Sequence, residues 1–209
     1  MTKKERALLA VQRLAERYPI AECSLKSENA FQLLVATRLS AQCTDARVNL
    51  VTPALFERFP DVDALADATA EDIEPYIRSC GLYKTKARDL AAMARMLRDV
   101  YGGVVPSTIE ELTSLPGIGR KTANLICGDV YGMPSAVVTD THCIRITNRL
   151  GLSTGTDPRR VEDQLRKLLP PAESNDFCHR LVLFGRDVCT ARSPKCSECP
   201  FGDCCPSKQ

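Results

Sequence analysis

The sequence predicts an all-α protein, and three features of its hydrophobic pattern support this fold class. Apolar residues recur at the i, i+3 and i+4 spacing of an amphipathic helix near the N-terminus and again over residues 87–101. Residues 31–39 are almost wholly apolar, which is typical of a central buried helix. No convincing strand pattern, with alternating apolar and polar residues, is found in the sequence.

Local chemistry marks the ends of several predicted helices. Ser107, followed three residues later by Glu110, predicts a capping box, in which each side chain satisfies a backbone N–H of the first turn. Asp157 followed by Pro158 predicts an N-cap with proline at the first helical position. Pro53 lies inside an otherwise helical pattern, so we expect a kink or a helix start there.

Composition and charge restrict the class of protein. The chain has 209 residues, 44% of them hydrophobic and 26% charged, which suits one large or two small folded domains. Its net charge of +2 means that any binding of nucleic acid must use a local basic face and backbone donors. Charges interrupt the N-terminal segment and no apolar run is long enough to cross a membrane. We therefore expect a cytoplasmic protein, nucleoid-associated if bacterial.

Residues 115–121 read Leu-Pro-Gly-Ile-Gly-Arg-Lys and lie between two helical segments. Gly117 and Gly119, after a proline, predict a tight turn with an exposed backbone. A helix that begins at about Arg120 would direct free N–H groups and the positive end of its dipole at an anion. Phosphate binding is one interpretation, and a plain helix–helix turn with a glycine cap is the other. Lys121 favours the first, because packing rarely needs a lysine there.

Asp140 directly follows the largely apolar segment Val-Val-Thr. A buried carboxylate is unfavourable unless it is paired or used, so Asp140 is a candidate functional group. The alternative is that Asp140 caps a helix that begins near Thr141. The two roles are compatible.

The eleven cysteines are unevenly distributed, and the C-terminal segment carries the spacing Cys189-x6-Cys196-x2-Cys199-x5-Cys205. In a reducing cytosol a disulfide framework is disfavoured. Four thiolates at this spacing suit either a tetrahedral zinc ion or a [4Fe–4S] cluster. The sequence therefore predicts a metal site in this segment.

The hairpin, the segment around Asp140 and the cysteine spacing together resemble the endonuclease III family of DNA glycosylases. The resemblance extends from about Lys4 to Cys205 and implies that Lys121 is the catalytic nucleophile and that Asp140 assists it. It also implies a [4Fe–4S] cluster, and the family spacing selects Cys205 rather than the adjacent Cys204. The implied cluster ligands are Cys189, Cys196, Cys199 and Cys205.

The same resemblance implies a set of DNA contacts. Backbone amides of the hairpin would grip phosphates, Gln42 would fill the hole left by a flipped base, and Leu82 would wedge into the opposite strand. Taken alone, Leu82 fits an ordinary core position, and Lys84 with Lys86 fits a solvated pair. The implied DNA-binding residues are Gln42, Asp45, Leu82, Lys84, Lys86, Gly117, Gly119, Arg120, His142 and Arg145.

The implied architecture is two α-helical domains with a cleft between them, residues 22–134 with the hairpin and residues 1–21 plus 135–209 with the cluster. The implied activity is removal of damaged, oxidised pyrimidines, followed by β-elimination through a Schiff base on Lys121. An amine attacks only when neutral, so we expect burial or positive surroundings to lower the pKa of Lys121. The expected partner is duplex DNA with damaged bases or abasic sites, bound by a monomer.

Two alternatives stay open at this point. A monofunctional mismatch glycosylase of the same superfamily uses a carboxylate on an early helix, whereas residues 31–42 contain no Asp or Glu. A non-catalytic iron–sulfur DNA-binding module would use the hairpin without needing Lys121 and Asp140 together. Arg38 and Thr139 depart from the family pattern, and Arg38 puts the shape of the pocket in question.

Overall fold

The computed structural model describes residues 1–208, and every regular element in that range is a helix, which confirms the all-α fold class. None of the described helices is long and apolar enough to cross a membrane. The helices are α1 (Lys3–Arg17), α2 (Ala30–Ser40), α3 (Asp45–Arg58), α4 (Val62–Ala66), α5 (Ala70–Ile77), α6 (Tyr83–Tyr101), α7 (Ile109–Ser114), α8 (Arg120–Asp129), α9 (Thr141–Arg149), α10 (Pro158–Arg166) and α11 (Ser174–Asp187), with a 3₁₀ turn at Pro171–Glu173.

Contacts divide the chain into two compact units. One unit, here called the central unit, is Cys23–Tyr131 and contains α2 to α8. The other, here called the terminal unit, combines Met1–Glu22 with the chain from Gly132 onward and contains α1 and α9 to α11.

The core of the central unit is organised around α2. Leu34, Val35 and Leu39 are fully buried, because α3, α6 and α8 all pack against this helix. An almost wholly apolar helix is stable in that position, since none of its faces needs to be polar. The longer α6 packs on α4 and α5 through a buried stripe that includes Leu90 and Leu97, as its amphipathic pattern predicts.

The start of α7 differs from the prediction by one residue. Thr108, not Ser107, is the N-cap, and its hydroxyl accepts from the backbone N–H of Glu111 at 3.2 Å. The Thr108 hydroxyl also donates to the Glu111 carboxylate at 2.7 Å. The predicted box of Ser107 and Glu110 is therefore wrong. Two hydroxyl–glutamate pairs with the same spacing lie side by side here, so the local pattern does not select between them.

Two other predictions, at Asp157 with Pro158 and at Pro53, have different outcomes in the structure. Asp157 caps α10 by accepting from the N–H of Arg160 at 2.8 Å, and Pro158 is the first helical residue, as predicted. Pro53 lies inside a helix that begins eight residues earlier at Asp45, so it does not start a helix. Proline inside a helix removes one backbone hydrogen bond, which the rest of α3 tolerates.

The terminal unit packs α11 against α1 and α9. Thr2 and Glu5 form a capping box at the start of α1. The chain after α11 folds back onto this unit, because the ring of Phe201 packs edge-on against Phe184 with centroids 5.5 Å apart. Arg13 of α1 adds an ion pair of 2.6 Å to Asp203 in the same C-terminal segment.

We predict that Leu34→Ala lowers the free energy of unfolding by about 2–5 kcal/mol, because it removes a fully buried side chain from the most enclosed helix. Urea denaturation followed by circular dichroism measures the change. Leu50→Ala is the matched control, since Leu50 is 71% exposed in the same unit, and its effect should stay within about 0.5 kcal/mol. Equal losses in the two variants would contradict the central position of α2.

Candidate nucleic-acid interface and cysteine loop

The hairpin between α7 and α8 is a tight turn with an exposed backbone. The N–H of Ile118 donates to the carbonyl of Leu115 at 3.1 Å, and Gly117 has a φ of 75°. Pro116 at the second position and a positive φ at the third are the features of a type II turn. Leu115 and Ile118 are buried, so both ends of the turn are anchored in the core while Gly117 and Gly119 face outward.

The hairpin leads directly into the N-terminus of α8. Gly119 is the N-cap, and no side chain within residues 1–208 caps this end of the helix. A Cβ at Gly119 would meet nothing within 4 Å, so an anion has an open approach to the backbone. The predicted helix start at about Arg120 is confirmed.

Lys121 is the second residue of α8, and its side chain is exposed. The protein therefore does not bury this amine, although burial is one of the two kinds of surroundings expected for it from the sequence. The amine is placed where a ligand bound at the hairpin can reach it.

Near the Cys23 thiol, the central unit brings together charged groups from α3 and α8. The pKa of the Cys23 thiol is raised to about 11, chiefly by burial and then by the nearby carboxylates of Asp129 and Asp45. A hydrogen bond with the backbone of Leu25 and the charge of Lys121 oppose this shift. Asp45, a predicted DNA contact, is the half-buried first residue of α3. Cys23 has no sequence signal that marks it, and only the tertiary packing brings it near Lys121 and Asp45.

Gln42 and Leu82 occupy two adjacent loops of the central unit. Both have a left-handed backbone, with φ of 55° and 58°, which is unfavourable for residues other than glycine. The loops are in close contact, since a Cβ at Gly81 would lie 3.2 Å from the Gln42 carbonyl oxygen. Leu82 is 58% exposed, so it is not the ordinary core leucine that its sequence allowed.

The two lysines that follow Leu82 have different positions. Lys84 is exposed, as a phosphate contact requires. Lys86 is fully buried, and its Nζ donates to the carbonyl of Leu39 at 2.7 Å. Burial lowers the pKa of Lys86. The amine of Lys86 is thus used inside the protein, and its role as a phosphate contact stays a prediction.

Asp140 of the terminal unit is the N-cap of α9, which confirms the capping role. Its Oδ1 accepts from the N–H of Cys143 at 2.7 Å. Its Oδ2 accepts no hydrogen bond from the part of the chain that the structure describes. The side chain is half-buried, so one oxygen orients the carboxylate while the other is available to a ligand.

His142 and Arg145 were predicted to line the DNA-facing side, but their contacts are made within the terminal unit. Arg145 Nη2 donates to the carbonyls of Gly185 at 3.3 Å and Cys189 at 3.0 Å. A Cβ at Gly185 would lie 2.3 Å from His142 Nδ1, so the imidazole packs directly on α11. These contacts join α9 to the end of α11, and the role of both side chains at the DNA stays a prediction.

Four of the C-terminal cysteines line one cavity of the terminal unit. Backbone and side-chain donors reach two of the sulfurs: the N–H of Phe201 lies 3.4 Å from Cys199 Sγ, and Arg149 Nη1 lies 3.4 Å from Cys189 Sγ. Hydrogen bonds to sulfur are typical surroundings of thiolate-bound clusters. The cavity is lined by the cysteines Cys189, Cys196, Cys199 and Cys205 together with residues of α9, α11 and the C-terminal loop.

The sulfur atoms are close enough to influence one another. The pKa of the Cys199 thiol is raised by burial first, then by repulsion from the thiolates of Cys189, Cys205 and Cys196. No group of three or more His, Cys, Asp or Glu in residues 1–208 is arranged around a single metal ion. The donors nevertheless fit a soft-metal group, since four free thiols share one cavity with N–H donors.

Cys204 has different surroundings from Cys205. Its side chain does not line the cavity, and its Sγ accepts from Arg13 Nη1 at 3.8 Å. The sulfur of Cys205 lies on the cavity side, 3.5 Å from the carbonyl oxygen of Arg149.

Known proteins resemble this chain in both sequence and fold. A model of the HhH-GPD superfamily of base excision DNA repair proteins matches residues 35–171. Endonuclease III of Synechocystis sp. is 46% identical over 208 residues, covering 100% of this chain and 95% of that protein. Endonuclease III of Bacillus subtilis is 40% identical over 196 residues, covering 93% and 89%. A solved structure titled as a trapped endonuclease III–DNA covalent intermediate has a TM-score of 0.93 at 40% identity, covering 100% of this chain and 98% of that chain. The chain therefore belongs to the HhH-GPD superfamily of base excision DNA repair proteins and, within it, to the endonuclease III family.

Proposed function

We propose that this protein is a bifunctional DNA glycosylase and abasic-site lyase, which removes oxidised pyrimidines from duplex DNA and then cuts the strand. The observation that carries the proposal is the exposed Lys121 at the second position of α8, directly after Gly119, whose backbone is open to an approaching phosphate. Membership of the endonuclease III family supports it, and a relative of the same fold is named as forming a covalent intermediate with DNA.

Lys121 acts as the nucleophile. The neutral amine attacks C1′ of the damaged nucleotide, the glycosidic bond breaks, and the base leaves with a proton. Opening of the sugar ring gives a Schiff base, whose positive charge acidifies the hydrogen on C2′. Loss of that proton expels the 3′ phosphate by β-elimination, and water then hydrolyses the imine. Because the lysine is exposed in the free protein, the bound nucleotide must supply the desolvation that favours the neutral amine.

Asp140 is the second catalytic group of the proposal. One carboxylate oxygen is fixed by the N–H of Cys143, and the second can stabilise positive charge that develops at C1′ and transfer protons. A capping aspartate is well suited to this role, because the helix start holds its orientation without occupying both oxygens.

Gln42 and Leu82 open the duplex. The damaged base must leave the stack before an amine can reach C1′. An exposed leucine can enter the gap without needing polar partners, and an exposed glutamine can pair with the orphaned base. Their left-handed backbones direct both side chains outward from adjacent loops of the central unit.

Phosphate contacts position the enzyme without reading sequence. The backbone at Gly117, Gly119 and Arg120 supplies the N–H donors, and Lys84 adds a charge at the start of α6. Such contacts suit a protein of low net charge, because backbone donors and a helix dipole replace a large basic surface.

A [4Fe–4S] cluster held by Cys189, Cys196, Cys199 and Cys205 completes the proposal. When bound, it would supply structural cross-linking rather than electrons, since glycosidic cleavage and elimination involve no redox change. The loop that it orders presents Arg192 and Lys195, both exposed, as additional contacts for phosphate.

We further propose that the central and terminal units are the two domains of a monomeric enzyme that works in the cytoplasm on chromosomal DNA. A mismatch glycosylase without lyase activity and a non-catalytic binding module are the competing functions. No feature of the described residues favours either, and the experiments below separate them from the proposed activity.

We predict that borohydride reduction traps the wild-type protein covalently on duplex DNA containing an abasic site or thymine glycol. Lys121→Gln should abolish the adduct while duplex binding changes little, because the exposed amine contributes little to packing. Gel electrophoresis of the reduced mixture measures the adduct.

Lys84→Gln is the control for loss of an exposed lysine in the same unit, and it should still form the adduct. An adduct on abasic DNA alone would keep the lyase and reject thymine glycol as a substrate. Absence of any adduct from wild-type protein that binds DNA would leave a monofunctional glycosylase or a binding module.

Asp140→Asn should separate the two roles of this residue. Asparagine is as good an N-cap as aspartate, so the thermal midpoint should change little. The lost negative charge should slow single-turnover base release by roughly 10²–10⁴-fold. Asp157→Asn, at the N-cap of α10, is the matched control and should leave the rate unchanged. Loss of stability without loss of rate in Asp140→Asn would contradict the catalytic role.

We predict that Cys205→Ala loses the visible absorbance of the cluster and most of the bound iron, whereas Cys204→Ala keeps both. The sulfur of Cys205 lines the cavity, whereas that of Cys204 lies against Arg13. Iron and zinc analysis of the purified proteins provides the measurement. Stoichiometric zinc without iron in the wild type would reject the cluster, and equal losses in both variants would reject the choice of Cys205.

A further inference from the structure

Arg38, which departs from the family pattern, forms an ion pair at the end of α2. Its Nε and Nη2 lie 3.0 and 2.5 Å from Oδ2 of Asp89 on α6. The arginine side chain is only 12% exposed and the aspartate 25%, so the pair is largely removed from water. A charge in that position is stable only when it is paired, which the aspartate achieves.

The ion pair lies directly against the hairpin. A Cβ built on Gly117 would be 2.4 Å from Arg38 Nε and 2.8 Å from Asp89 Oδ2. Atoms do not approach this closely without displacement, so the hairpin backbone is seated on the pair with no room for a side chain. The positive φ of Gly117 adds a second, independent reason for glycine at this position.

A second contact joins the same two helices one residue further along. The buried Lys86 of α6 donates to the carbonyl of Leu39, next to Arg38 on α2. The two contacts fix α6 to the C-terminal end of α2, immediately before the loop that carries Gln42. Arg38 and Asp89, against which Gly117 lies, are therefore fixed by contacts between α2 and α6.

We propose that Arg38 and Asp89 are positioning residues for DNA binding, which set the height and orientation of the hairpin so that its N–H groups meet a phosphate. This inference rests on the proposed function. The charges of the pair cancel, so it acts through geometry and not by attracting the DNA backbone. Because the hairpin contacts phosphate and not bases, the effect should be the same for damaged and undamaged duplexes.

Arg38→Ala tests the proposal, with Kd measured by fluorescence anisotropy on an undamaged duplex and on one containing a tetrahydrofuran abasic analogue. We expect Kd to rise roughly tenfold on both duplexes, the scale of a lost contact between neighbouring groups. The single-turnover rate on abasic DNA at saturating enzyme should fall much less than the affinity. The dependence of log Kd on log salt concentration should keep its slope, because the weakened contacts come from neutral backbone N–H groups and no cationic contact with phosphate is lost.

Arg95→Ala is the control. Arg95 is on the same helix α6 and donates to the carbonyls of Ala66 and Ala68 at 3.2 and 3.0 Å, away from the hairpin. It should change thermal stability without changing Kd. A salt slope that falls by about one in Arg38→Ala would overturn the positioning role, since it would mean a direct phosphate contact.

Gly117→Ala supplies an independent test of the contact through a double-mutant cycle. The added methyl meets Arg38 in the wild type, so the double variant with Arg38→Ala should bind DNA better than the product of the two single effects predicts. Strictly multiplicative effects would overturn the inference. If Arg38→Ala does not fold, Asp89→Ala removes the other half of the pair and should raise Kd on both duplexes in the same way.

The wild-type protein separates this inference from the proposed function. If it forms the borohydride adduct while Arg38→Ala binds both duplexes with unchanged Kd, the inference is wrong and the enzyme assignment stands. If the wild type binds neither duplex, both are wrong.

Discussion

The attachment of α6 to the C-terminal end of α2 is the interaction on which the candidate DNA-binding surface of the central unit depends. A buried ammonium is strongly unfavourable without partners, and Lys86 meets this requirement with the carbonyl of Leu39. A cation at the C-terminus of a helix also compensates the negative end of the helix dipole. The loops that carry Gln42 and Leu82, and the hairpin at Gly117, all adjoin this junction.

Backbone strain in the central unit is concentrated at the positions that we assign to DNA. Gln42 and Leu82 are two of the three non-glycine residues with positive φ among residues 1–208, and both are exposed. Strained conformations persist only where the surrounding structure fixes them, and the buried helix ends next to these loops meet that condition. The helices thus provide rigid support, and the loops between them present the side chains.

In the terminal unit, a single helix links the candidate catalytic carboxylate to the cysteine loop. Asp140 caps the start of α9, and Arg149 at its end donates to the carbonyls of Thr190 and Ala191 at 2.7 and 2.8 Å. Arg145 donates to the carbonyl of Cys189 from the middle of the same helix. A change in the cysteine loop therefore acts on the element that orients Asp140.

The sequence by itself determined the features that depend on local patterns. Periodicity predicted the all-α class, Pro-Gly-x-Gly predicted the hairpin, and Asp140 and Asp157 were recognised as caps, because each of these depends on residues close together in the chain. Resemblance identified the family. Local patterns failed where neighbouring signals were equivalent, as for Ser107 and Thr108.

Tertiary structure alone decided which polar residues face solvent and which form hydrogen bonds or ion pairs inside the protein. Lys84 and Lys86 are alike in sequence, yet α2 covers only the second and supplies its acceptor. Asp89, 51 residues from Arg38 in the chain, is the partner of that arginine, and the carbonyl of Gly185 on α11 is a partner of Arg145. The physical reason is common to these cases: a long charged side chain takes its role from the partner it reaches, and that partner comes from a distant part of the chain.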